Sequence, residues 1–108
     1  MAVEIMMKAT LVKPENLDNK KFFGLWLRES LAALGAIEAG AMKHIWKVAG
    51  KYEVIAVMEV EDGDQMDAAL HALPIWQEGF AHVISELEWT PLRNYQNWSN
   101  QLKDLAEG

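Results

Sequence analysis

Apolar and polar residues alternate along Val3–Leu11, with Val3, Ile5, Met7 and Ala9 on one face and Glu4, Met6, Lys8 and Thr10 on the other. A period of two predicts a strand. Pro14, which has no amide hydrogen for a ladder, ends it in Lys13-Pro14-Glu15-Asn16. From Asn16 or Asp18, either of which suits a helix cap, to about residue 39 the period becomes helical. Leu17, Phe22, Leu25, Trp26, Glu29, Ala32, Ala33, Ala36 and Ile37 are spaced mainly by three or four, and Gly40 is a stop signal. Alternation returns over residues 42–48, with Met42, His44, Trp46 and Val48 opposite Lys43, Ile45 and Lys47. Ala49-Gly50-Lys51 reads as a tight turn and residues 52–60 as the returning strand, so residues 42–60 form a β-hairpin.

Met66, Ala69, Leu70 and Leu73 form the stripe of a short second helix that Pro74 ends. Residues 80–90 contain a last strand, with Val83, Ser85, Leu87 and Trp89 opposite Ile84, Glu86 and Glu88. Pro91 breaks it, and residues 94–106 are suited to an additional C-terminal helix. The order βαββαβ plus a tail predicts an α+β domain: a four-stranded antiparallel sheet with both helices on one face. The other face keeps large apolar residues, and a second subunit packed sheet to sheet is the expected cover.

At 108 residues the chain has room for one domain, expected over residues 1–92 with a helical extension over 93–108. Its 51% hydrophobic content is that of a globular protein, and five Trp and six Met are enough to line a pocket or an interface as well as a core. A formal charge of −6 argues against nucleic acid, which needs a clustered basic footprint. With no cysteine there is neither a disulfide framework nor a thiol nucleophile. Glu4 and Lys8 interrupt the opening apolar residues, so no signal peptide is expected there, and no apolar run is long enough to span a membrane. A cytoplasmic address is the expectation that follows.

Glycine-rich nucleotide loops and the G-x-S-x-G elbow are absent. His44, His71 and His82 fall on different predicted elements without metal-ligand spacing, so no metal site is expected. Glu29 stands out because it lies three residues after Trp26 and four after Leu25, on or beside the apolar stripe of the first helix. It is either an exposed boundary residue or a partly desolvated carboxylate with the raised pKa of a general base. His44, on the expected Met42/Trp46 face, and Tyr52, across the turn, are either packing residues or groups reaching into a cleft.

The segment His44-Ile45-Trp46-Lys47-Val48-Ala49-Gly50-Lys51-Tyr52 resembles the H-[LI]-W-[RK]-[IV]-A-G-x-Y motif of the muconolactone delta-isomerase family. Leu70-His71-Ala72-Leu73-Pro74-Ile75 is similar to that family's L-x-x-L-P-L segment, and the likeness spans roughly residues 3–92. The resemblance implies a ferredoxin-like fold of the dimeric α/β-barrel type, homodimers or larger rings, a small-molecule substrate and cofactor-free isomerisation of an unsaturated lactone. It also implies that Glu29 is the proton-transferring base. The placing of His44 and Tyr52 as donors or orienting groups comes from the hairpin's expected geometry instead. Trp26 stands where the family carries a lysine one turn before the glutamate, which implies a larger or more apolar substrate contacted by Trp26, Trp46, Trp76 and Trp89. Other readings on the same fold are a cofactor-free oxygenase, a cyclase, a dehalogenating lyase or a non-catalytic binding module.

Overall fold

The computed structural model describes residues 2–108. Its elements follow the predicted order: β1 (Val3–Leu11), α1 (Asn19–Glu38), β2 (Met42–Lys47), β3 (Glu53–Val60), α2 (Gly63–His71), a one-turn α3 (Pro74–Gln77), β4 (Ile84–Leu92) and α4 (Tyr95–Glu107). The strands form one antiparallel sheet in the order β2-β3-β1-β4, a ferredoxin-like arrangement with an extra C-terminal helix. Asp18 caps α1 by accepting the Lys21 N–H at 2.8 Å, and Asp62 and Asn94 do the same for α2 and α4. Gly50, at φ +82°, supplies the left-handed residue that the hairpin turn needs.

The sheet has two unlike faces. Ile5, Met7, Ala9 and Leu11 of β1 pair alongside Met58, Ala56 and Val54 of β3 on the face toward the helices. Phe22 and Leu25 of α1, each 1% exposed, pack there with Leu11, Leu17, Ile75 and Val83. The opposite face carries Met6, Lys8, Ile55 and Val57, and among the described residues no helix covers it. Two of its lysines are paired: Lys8 lies 2.9 Å from Glu53, and Lys43 lies 3.7 Å from Glu4 and 3.6 Å from Glu59.

Two bulges correct the expected alternation. Met42 pairs with Met58, but His44 pairs with Val57, so Lys43 is an extra residue in β2. Beyond it, Ile45 and Lys47 join Met42 on the helix side, while His44 and Trp46 turn to the open face, where their rings stack 5.2 Å apart. Ser85 plays the same part in β4, because Thr10 pairs with Glu86 and Leu11 with Ile84. Ile84, Leu87 and Trp89 therefore share the helix side. Pro74 is corrected as well, since it begins a helix at the first-turn position where its missing N–H costs nothing. The last strand opens at Ile84 after a 3₁₀ turn over Ala81–Val83.

Two apolar stripes stay uncovered. Phe23, Leu27, Leu31 and Leu34 run along the outer side of α1, and Tyr95, Leu102 and Leu105 lie exposed on α4. Helix α4 has no buried residue, and the molecule is long for its size at 60 × 27 × 22 Å.

Candidate active site

The inward stripe of α1 reads Phe22, Leu25, Trp26, Glu29 and Ala33, a spacing of three and four that sets all five against the sheet. Only Glu29 among them is ionisable. Between this stripe, the helix side of the sheet and the α2–α3 segment lies a cavity of about 230 Å³. Met7, Ala9 and Leu87 contribute from the sheet, and Leu70, Leu73 and Ile75 from the opposite wall. Among the described residues, Glu29 and Lys47 are the only charged side chains that line it.

The Glu29 carboxylate is held at one oxygen. Its Oε1 accepts the Ile75 N–H at 3.0 Å, and Ile75 is the second residue of α3, where Pro74 offers no donor. Burial raises the Glu29 pKa above its ordinary value; the Ile75 N–H, by favouring the charged form, partly offsets that rise, and the nearby Glu78 charge adds to it. The result is a half-buried carboxylate that holds a proton more readily than an exposed one. A raised pKa is the direction that favours a carboxylate acting as a general base.

The structure brings together some of the expected site residues and separates others. Trp26 lines the cavity beside Glu29, and Tyr52 packs edge-on against Trp26 at 5.4 Å. Tyr52 also touches Phe22 and Phe23, and it remains 46% exposed just after the hairpin turn. Trp46 borders the cavity at the edge strand although its ring stacks on His44. His44 itself is on the open face, away from the face that Glu29 serves, because of the Lys43 bulge. Trp76 lies against His71 at 4.8 Å, outside the cavity lining, and Trp89 is partly buried core.

Lys47 is the residue that strand alternation misplaced. It pairs with Val54 on the helix side and lines the cavity, with a 3.2 Å hydrogen bond from its Nζ to the Val48 carbonyl. Lys47 and Glu29 thus line one largely apolar cavity, in which Ser30 is the other polar residue. The sequence signal was the motif itself, whose [RK] position is Lys47. Among the described residues, no three His, Asp or Glu side chains are grouped as metal ligands. Among the described residues, no helix is long and apolar enough to cross a membrane.

The family model for muconolactone delta-isomerase matches residues 3–98. Among curated proteins, none matches the sequence at a significant level. A crystal structure of muconolactone isomerase superposes with a TM-score of 0.65 at 23% identity, covering 87% of this chain and 90% of that one. An uncharacterised NIPSNAP domain protein from Burkholderia xenovorans gives a TM-score of 0.49 at 20% identity over 87% and 94% of the two chains.

The raised pKa has a thermodynamic consequence with a definite sign. The folded chain binds the Glu29 proton more tightly than the unfolded chain, so stability falls as pH rises from about 4.5 through the folded pKa and stays lower above it. Glu29→Gln removes that loss. Its stability relative to the parent, from urea unfolding, is expected to be higher at pH 8 than at pH 4. An equal difference at both pH values would contradict the burial of Glu29.

Proposed function

This chain belongs to the muconolactone delta-isomerase family, and we propose that it is a cofactor-independent isomerase moving a ring double bond in an unsaturated lactone by carboxylate-mediated proton transfer. The observation that carries this reading is Glu29: a half-buried carboxylate in a cavity of butenolide size, with one oxygen tied to Ile75. The free oxygen removes the acidic γ-proton. The C–H electron pair becomes the new β,γ double bond, and the α,β pair moves onto the lactone carbonyl as a dienolate. The same carboxyl group, whose proton exchanges with solvent while the dienolate is bound, then delivers a proton to the α-carbon, so the ring gains and loses nothing overall.

A dienolate needs a positive or hydrogen-bonding partner. In this reading Lys47 supplies it across the cavity from α1, which offsets the replacement of the family's first-helix lysine by Trp26. Trp26, backed by Tyr52, forms the apolar wall against which the lactone ring is placed. His44 is left out of this subunit's chemistry by its position on the open face.

The Ile75 contact also supports a second reading, in which Glu29 is only a cap for α3 and the cavity binds a small molecule without turning it over. Proton NMR in deuterated water with muconolactone and bulkier butenolides separates the two. Deuterium is expected to enter the ring with the parent protein, and Glu29→Gln is expected to slow exchange by at least about 10²-fold while leaving the fold intact. Equal exchange by the variant would remove Glu29 from the chemistry.

Lys47→Met is expected to lower kcat and kcat/KM together, by about 10²-fold, as loss of a charge that acts mainly in the transition state should. A rise in KM with kcat unchanged would contradict that role and put Lys47 on a carboxylate of the bound compound. We further propose a homodimer or larger assembly, supported by the uncovered open face with Met6, Ile55, Val57 and Trp46. Light scattering at micromolar concentration is expected to give at least twice the 12.2 kDa chain mass; a uniform monomer would contradict it.

A further inference from the structure

Consecutive residues of α1 grip opposite ends of α3. Glu29 takes the Ile75 N–H near its start. Arg28 forks onto Glu78, the residue that closes the helix, with Nε donating to Oε2 at 2.9 Å and a terminal nitrogen donating to Oε1 at 2.7 Å. A single turn of four residues is far too short to be stable alone. Apart from the Ile75 side chain, 2% exposed in the core, these two contacts are what fix α3 against α1.

We propose that the Arg28–Glu78 pair is a positioning device for Glu29, clamping α3 so that the Ile75 N–H holds one carboxylate oxygen and leaves the other turned to the cavity. Neither residue touches the cavity, so both act through Glu29. The pair also balances charge. Glu78 bears on Glu29 as a like charge, and Arg28, forked onto it, sets the opposite charge against that carboxylate.

The other neighbours of Glu29 leave this pair as its local charge control on the helix side. Lys47 faces it from β2, α2 contributes the apolar Leu70, and β1 and β4 line the cavity with apolar residues only. His71 of α2 lies against Trp76 instead. An exposed ion pair adds little to global stability, so its loss should be read in the site and not in the melting temperature.

The activity arm of the test rests on the proposed isomerase reading; the titration arm does not. The Glu29 carboxyl is followed by carbon NMR across pH, its signal assigned by its absence in Glu29→Gln, in the parent, Arg28→Gln, Glu78→Gln, the double variant and Arg28→Lys. Arg28→Gln is expected to raise the Glu29 midpoint, Glu78→Gln to lower it, and the double variant to return it toward the parent. Arg28→Lys keeps the charge but not the fork, so it is expected to hold the parent midpoint while kcat for butenolide exchange falls about tenfold. Midpoints that do not move in opposite directions would overturn the charge balance, and full kcat in Arg28→Gln and Arg28→Lys would overturn the positioning. Loss of exchange in the parent itself would instead overturn the isomerase reading, with the midpoints still deciding the charge balance and hydrogen exchange of the Ile75 amide, expected to be faster in Arg28→Lys than in the parent, still deciding the clamp.

Discussion

The hydrogen bond from the Ile75 amide to Glu29 is the contact on which the site depends. It joins the long first helix to a one-turn helix that cannot stand by itself, and it does so with a carboxylate that, among the described residues, is the only one lining a largely apolar cavity. The amide lowers the cost of keeping charge on Glu29, while burial raises it. Neither effect removes the other, and the group is left with its Oε1 engaged by the Ile75 amide. Everything that shapes the chamber bears on that balance: the Phe22–Leu25 anchoring of α1, the burial of the Ile75 side chain, and the Arg28–Glu78 fork outside.

Much of this was legible in the chain. A helical period of three and four over residues 19–38 placed Glu29 on the inward stripe because the same spacing that buries Phe22, Leu25 and Ala33 carries position 29 with them. The hairpin was equally plain, since its turn holds a glycine at positive φ between two alternating runs. What alternation does not record is a bulge. One extra residue at Lys43 reverses the face of everything after it, and so His44 and Trp46 exchanged sides with Ile45 and Lys47. Lys47 consequently lines the cavity where a histidine was expected. Pro74 misled in a similar way: a residue that stops one helix is also suited to start the next, and only the tertiary contact with Glu29 reveals which it does.

Membership of the muconolactone delta-isomerase family and the superposition on muconolactone isomerase agree on the sheet and its helices. The chain's own features are the indole at position 26, the α1–α3 clamp, and two uncovered apolar stripes on α1 and α4. Helix α4 has no buried residue, and its N-terminus is tied by Asn94, which accepts the Asn97 N–H.

The central claim is that chemistry belongs to the Glu29 chamber and not to the aromatic pair on the open face. A crystal structure with a bound, unreactive saturated analogue of the butenolide tests it most directly. The ring is expected between Trp26 and Glu29, with its γ-carbon facing the oxygen that Ile75 leaves free and its carbonyl toward Lys47. A ring bound instead against His44 and Trp46, with the chamber empty, would contradict the account.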